Sequence, residues 1–345
     1  MTKKIVVLPG DGIGPEIMAS ALEILAAASK GEFAYQLEYF PFGGASIDQN
    51  GEPFTSSTRQ ACQNADAILL GAIGGPKWDG LVATPESGLL ALRQNLALYA
   101  NIRPIKVEPF MEEMSPLKRD YVTGVDFVMI RELIGGLYFG KPKYYNENEA
   151  FDTMYYTREQ IEQIVRLAFD LALTRRKKVT SVDKANVLAN SKLWRQVVQE
   201  VSNDYPSVKV EYLYVDAAAM KIIKDAKSFD VMVTENLFGD ILSDEASVIT
   251  GSLGMLPSAS LSISGPALYE PIHGSAPDIA GENRANPVSM ILSVCLMLRQ
   301  SFQAFELADR IEKGTYEVIV NTGGTRDLGG ELSTSDFTQQ VIKQF

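Results

Sequence analysis

Asp240 and Asp244, in the segment T-E-N-L-F-G-D-I-L-S-D-E-A-S over 234–247, are four residues apart, and a helix there places both carboxylates on one face. Like charges held that close repel, and a hard divalent cation bound by oxygen ligands relieves the repulsion. The same spacing occurs on ordinary solvated helix faces, so the pair alone leaves both readings open. Ile241 and Leu242 are expected to face a core, behind a short buried strand at 231–233. Three more chemically useful groups follow apolar runs: Arg131 after F-V-M-I, Lys184 two residues after V-T-S-V, and Asp216 after Y-L-Y-V. Ligands of open α/β sheets collect beyond the carboxyl ends of strands, so these groups would make a site for a metal-bound anion if they converge. Taken singly, each is also an ordinary turn residue. Arg93 lies on a helical stretch and Arg103 on an extended one before Pro104. With Arg131 they supply three guanidiniums on separate elements, which suits both ends of a dicarboxylate, although surface arginines explain any one of them equally.

The elements that must carry these groups alternate. Apolar runs at 5–8, 67–70, 127–130, 179–182, 212–215 and 231–233 read as buried strands between helical patterns, which predicts an α/β architecture. The clearest helix is expected over 158–176, with Thr157 and Gln160 in capping-box spacing and Ile161, Ile164, Val165, Ala168, Phe169 and Ala172 on one apolar stripe. The basic run at 175–178 after it is expected to sit against the negative end of that helix's dipole. Another helix is expected over 16–28.

At 345 residues the chain suggests two domains or one large sheet with insertions. Its net charge of −11 argues against nucleic-acid and anionic-membrane partners. Two separated cysteines, Cys62 and Cys295, exclude a disulfide framework and a zinc cluster and fit a reducing cytoplasm. No stretch has the length of a membrane span, and the amino terminus has no signal-peptide pattern. With His273 the only histidine, acid and base work falls to lysine, tyrosine and carboxylates. The loop L-P-G-D-G-I-G-P-E at 8–16 follows a strand and precedes a helix, but the last glycine of G-x-G-x-x-G falls on Pro15. That disfavours a Rossmann nucleotide domain and leaves a tight turn or a ligand-facing loop. No P-loop motif is present, which counts against phosphoryl transfer.

Taken in order, G-D-G-I-G-P-E, G-L-L-A-L-R, N-I-R-P, R-E-L-I-G-G-L-Y-F-G, S-V-D-K-A-N-V-L, V-D-A-A-A-M, N-L-F-G-D-I-L-S-D-E and H-G-S-A-P-D-I-A-G span nearly the whole chain. Together they resemble the β-decarboxylating dehydrogenases, the isocitrate/isopropylmalate dehydrogenase family. The resemblance implies an α/β, two-domain fold around a large mixed sheet, not a Rossmann fold. A discontinuous cofactor-binding domain would comprise 1–99 plus 252–345, and a substrate, metal and dimerisation domain 100–251.

The resemblance further implies that Arg93, Arg103 and Arg131 hold malate carboxylates, and that Asp216, Asp240 and Asp244 bind Mg²⁺ or Mn²⁺. Asp216, which also faces substrate, and Lys184 would come from the partner of an obligate homodimer with shared active sites. Lys184 is implied as general base for the C2 hydroxyl and Tyr138 as the acid that protonates C3. NAD⁺ is implied over NADP⁺. Its loop would be His273, Gly274, Ser275, Ala276, Pro277, Asp278 and Ile279 with Asn286, Asp278 accepting from the ribose hydroxyls and repelling a 2′-phosphate. Gly74, Gly75 and Glu86 would lie on the nicotinamide side. Leu89 and Leu90, with Val187, offer an apolar wall suited to an isopropyl group on C3, where a carboxylate would lose its hydration without a partner. The hydroxyl residue of isocitrate-type relatives is missing there. Two alternatives are a decarboxylating malate or tartrate dehydrogenase, and a metal-dependent organic-acid binding protein without catalysis.

Overall fold

Apolar runs rich in valine and isoleucine pair as strands whose two faces are both covered, which is why they lack polar alternation. The computed structural model describes residues 2–345. Its strands in chain order are β1 (Lys3–Gly10), β2 (Tyr35–Tyr39), β3 (Ala67–Ala72), β4 (Leu98–Lys106), β5 (Asp126–Glu132), β6 (Tyr144–Tyr145), β7 (Ala150–Phe151), β8 (Lys178–Asp183), β9 (Lys209–Tyr214), β10 (Val231–Thr234), β11 (Pro257–Ser262) and β12 (Ala267–Pro271). The chain forms two compact units, 1–98 with 252–345, and 99–251.

In the first unit the strand order is β2-β1-β3-β12-β11. All neighbours are parallel except β11, which runs antiparallel to β12. Helices Gly14–Ser29, Val288–Gln300, Phe305–Thr322 and Thr334–Ile342 bury Ile17, Leu25, Met290, Ile311 and Phe337 in this unit's core. In the second unit the order is β4-β5-β10-β8-β9, with β4 antiparallel to β5 and the rest parallel. Helix Arg158–Leu173 begins with the capping box of Thr157 and Gln160 and buries all six residues of its stripe. β6 and β7 form a separate two-stranded ribbon.

Four local expectations change. Helix Gly14–Ser29 starts two residues before Glu16, because Pro15 occupies its first turn. Val215 opens helix Val215–Asp225 rather than closing β9, so Asp216 stands in a helical first turn. The 158–176 helix stops at Leu173, and the basic run stays at its end, the backbone N–H groups of Arg175 and Lys177 both donating to the Ala172 carbonyl at 3.1 Å, while its side chains find carboxylate partners. Arg175 pairs with Asp126 and Asp230 at 2.6 and 2.9 Å, and Lys178 with Glu211 at 2.6 Å. Finally, Leu242 is buried but Ile241 is 60% exposed: the helix buries Leu242, Ser243, Ala246 and Ser247 on one face, and the step of about 100° back to Ile241 carries it off that face. Among the described residues no helix is long and apolar enough to cross a membrane.

Candidate active site

Strand β5 and helix Asn236–Ser247 bring the second unit's charged groups together. Gly239 makes this possible: a Cβ there would stand 2.7 Å from Cγ of Arg131, so only hydrogen lets the arginine lie along the helix. Arg131 is buried, and its Nε and Nη2 both donate to Oδ1 of Asn236, at 3.0 and 2.9 Å. Its Nη1 donates to Asp240 Oδ1, while the hydroxyl of Tyr138 donates to Asp240 Oδ2 at 2.6 Å. The Tyr138 ring also stacks 5.7 Å from the Arg131 guanidinium. Arg103, on β4, is buried as well; its Nε donates to Asn101 Oδ1 at 2.6 Å and its Nη1 to Ser243 and, at 3.4 Å, to Asp244. Desolvation raises the Asp244 carboxyl above its ordinary value and Asp240 adds to that, whereas Arg103 and Arg131 oppose it. The side chain is nevertheless 65% exposed, so this carboxylate remains free to meet a ligand.

Lys184 and Asp216 pair with each other away from this cluster. The ammonium holds the Asp216 carboxyl below its ordinary range. Among the described residues no three carboxylate, histidine or cysteine side chains gather as a metal site, so Asp216 does not join Asp240 and Asp244 within one chain. Val187, next to this pair in sequence, is exposed. The donor chemistry fits a hard cation, since both clustered carboxylates offer oxygen only.

In the first unit, helix Pro85–Asn95 carries Leu89 and Leu90, both half-buried, and Arg93, which is buried with Nη2 3.6 Å from Glu270. A cavity of 440 Å³ in the same unit is lined by Ile13, Leu253, Gly254, His273, Gly274, Ala276, Ile279, Arg284, Ala285, Asn286, Arg326 and Asp327. Nε2 of His273 is buried without a hydrogen-bond partner, and burial lowers the imidazole pKa. An orphaned neutral ring nitrogen on a largely apolar wall fits a nucleotide ligand. Five of the expected cofactor residues, His273, Gly274, Ala276, Ile279 and Asn286, line this cavity. Ser275, Pro277 and Asp278 stand in the same loop without lining it, and Asp278 is exposed. Gly74, Gly75 and the exposed Glu86 do not line the cavity either.

The glycine-rich loop at 8–16 turns out to hold these segments together. The buried carboxylate of Asp11 accepts from the backbone N–H groups of Gly44, Ala45 and Gly74 at 2.8, 2.7 and 2.9 Å. Ile13 N–H donates to the Ser275 carbonyl at 2.8 Å, and the Ser275 hydroxyl donates to the Gly74 carbonyl, also at 2.8 Å. Gly12, at φ +56°, permits that approach, since a Cβ would sit 2.0 Å from the Ser275 oxygen.

A family model described as isocitrate/isopropylmalate dehydrogenase matches residues 4–341. The chain belongs to that family. Its fold is the mixed α/β fold of the family's solved members. An isocitrate dehydrogenase from Methylococcus capsulatus matches with a TM-score of 0.89 at 33% identity, covering 99% of both chains. A β-decarboxylating dehydrogenase from Thermococcus kodakarensis, in its apo form, matches at 0.81 and 36%, covering 99% of this chain and 96% of its own. By sequence, the 3-isopropylmalate dehydrogenase of Listeria monocytogenes serotype 4b is 61% identical over 345 residues, all of this chain and 99% of the relative. That of Staphylococcus aureus RF122 is 59% identical over 337 residues, 97% of each.

Sequence reasoning missed Asn101, Asn236 and Ser243 around the two family arginines, and Arg284, Arg326 and Asp327 around the cavity. Asn236 and Ser243 were within reach: at 236, 240, 243 and 244 the helix repeats polar residues on the face of the aspartate pair. Arg326 and Asp327 are far along the chain from the histidine loop and carry no local signal.

Proposed function

We propose that this chain oxidises and decarboxylates (2R,3S)-3-isopropylmalate to 4-methyl-2-oxopentanoate and CO₂, reducing NAD⁺, as a step of leucine biosynthesis in the cytoplasm. The observation that carries the reading is the full-length identity to 3-isopropylmalate dehydrogenases, 61% over 345 residues. The cluster of Arg103, Arg131, Tyr138, Asp240 and Asp244 adds support, because each of its members is a residue the chemistry needs. Buried free thiols at Cys62 and Cys295 fit a reducing compartment.

Arg103 and Arg131, with Arg93 of the first unit, bind the malate carboxylates by charge-assisted hydrogen bonds. Leu89 and Leu90, with Val187, favour a branched alkyl group at C3 over a charged one. Asp240 and Asp244, completed by Asp216, would hold Mg²⁺ or Mn²⁺, and the cavity with the 273–279 loop and Asn286 would hold NAD⁺, with Gly74, Gly75 and Glu86 on its nicotinamide side. When bound, the nicotinamide supplies a hydride acceptor and the cation a Lewis acid. Lys184, after releasing its own proton to solvent, takes the proton of the C2 hydroxyl as the free amine; Tyr138, oriented by Asp240, returns a proton to C3 once CO₂ has left. Asp278 accepts from the ribose and disfavours a 2′-phosphate.

Lys184 and Asp216 reach that site from a second copy, which makes the active form a homodimer. Exposed Met220 on helix Val215–Asp225 and exposed Ile241 on helix Asn236–Ser247 support this, since apolar residues left out of a core are ready to meet another surface. The test is absorbance of reduced nicotinamide with purified protein, NAD⁺, Mn²⁺ and 3-isopropylmalate, D-malate or tartrate, with and without chelator. Turnover is expected to be highest on 3-isopropylmalate and lost on chelation. A preference for D-malate or tartrate would replace the substrate, and no signal with any of the three would leave a binding protein.

A further inference from the structure

Arg131 is held by an unusual partner for a buried guanidinium. Its Nε and Nη2 share one acceptor, the amide oxygen of Asn236, at 3.0 and 2.9 Å. The amide is itself fixed on every side. Its Nδ2 donates to the Gly135 carbonyl at 3.1 Å, and its backbone N–H donates to the Tyr156 hydroxyl at 2.9 Å. Gly135 N–H donates in turn to the buried carboxylate of Glu132 at 2.9 Å. Asn236, only 1% exposed, is therefore held in one orientation by bonds to Gly135 and Tyr156 as well as to Arg131.

A carboxylate is the usual match for this edge of an arginine, because its two oxygens pair with the fork and its charge cancels the guanidinium's. An amide at the same place orients the fork and leaves the charge in being. In this cluster the balance is fine: Arg103 and Arg131 stand against Asp240 and Asp244, so one further carboxylate would tip the site negative where an anion has to bind. We propose that Asn236 is a positioning residue for substrate binding, a neutral amide that aims Arg131 at a substrate carboxylate without neutralising it. This rests on the reading of Arg131 as a carboxylate-binding residue.

The experiment compares Asn236→Asp, Asn236→Ala and Arg131→Lys in the full-length enzyme with Mn²⁺, measuring KM for 3-isopropylmalate, KM for NAD⁺ and the thermal midpoint. Asn236→Ala is expected to raise KM for 3-isopropylmalate by about tenfold through lost orientation, and Asn236→Asp by about a further tenfold through charge. KM for NAD⁺ should stay within about twofold. The thermal midpoint of Asn236→Asp should lie close to that of Asn236→Ala, since the new carboxylate pairs with Arg131 but turns an oxygen toward the Gly135 carbonyl where Nδ2 now donates. Weaker substrate binding without a matching loss of stability is a pattern that a merely structural role, which moves both together, cannot give. Should the alanine variant not accumulate, Asn236→Ser takes its place, its hydroxyl being too short to span to the fork. A KM for Asn236→Asp no higher than for Asn236→Ala, or a rise in KM that follows loss of stability, overturns the proposal. An unchanged KM in Arg131→Lys would instead remove the reading of Arg131 on which it rests.

Discussion

Glu235 gives a quantitative test of the electrostatics inside the second unit. The side chain precedes helix Asn236–Ser247, is fully buried, and accepts from Asn190 Nδ2 at 2.8 Å and from the Ser191 hydroxyl. Burial pushes its carboxyl up from 4.5 to about 7, against the opposing pull of Ser191 and Asn190 and with help from Asp183 and Glu132. Between those two values the folded chain keeps a proton that the unfolded chain releases. Stability therefore falls as pH rises through this window, and the whole penalty is present above it. At 1.36 kcal/mol per pH unit, the penalty is about 1 kcal/mol at pH 5 and about 3 kcal/mol at pH 8. Glu235→Gln removes the titration and keeps the geometry, because its carbonyl still accepts from Ser191 and the Asn190 amide can rotate to present oxygen to the new N–H₂. The variant should gain about 2 kcal/mol over the parent between pH 5 and pH 8. Urea unfolding of both proteins at the two values measures it. A difference that is flat with pH, or that shrinks as pH rises, refutes the assignment.

Lys184→Ala should lower turnover by about a thousandfold or more while NAD⁺ still binds, as read by steady-state kinetics and NAD⁺ titration; comparable turnover would take Lys184 out of the mechanism. Asp278→Lys should shift the ratio of kcat/KM values toward NADP⁺ by at least about tenfold, and an unmoved ratio would contradict a ribose role. Asp11→Ala leaves three backbone N–H groups of the first unit without their acceptor, so thermal unfolding should show a loss of about 3 kcal/mol or more, accompanied by weaker NAD⁺ binding. A loss under about 1 kcal/mol would mean that water replaces the carboxylate.

The alternation of strands and helices was legible because burial on both faces leaves an unbroken apolar run, and the capping box at Thr157 marked its helix start to the residue. The glycine-rich loop was harder to read. Its spacing ruled out a dinucleotide fingerprint, but nothing local signals that the Asp11 carboxylate would be met by backbone from 44, 45 and 74. Ile241 was misread for a different reason: an exposed apolar residue has the same sequence signature as one that faces the core. The aspartate pair, by contrast, carried its own spacing, and the two arginines beside it were visible as residue types while their partners Asn101, Asn236 and Ser243 were not. Uncharged polar residues become informative only once the fold places a charge beside them.

Cys62 and Cys295 are both fully buried, and burial pushes each thiol up, Cys62 to about 12, so neither offers a thiolate to a reagent in solution. The native chain is thus a blank for maleimide chemistry. A cysteine introduced at exposed Val320 would carry one dye per polypeptide without first deleting either natural thiol. Mixing donor-labelled with acceptor-labelled populations would then show by energy transfer whether two copies of the chain associate.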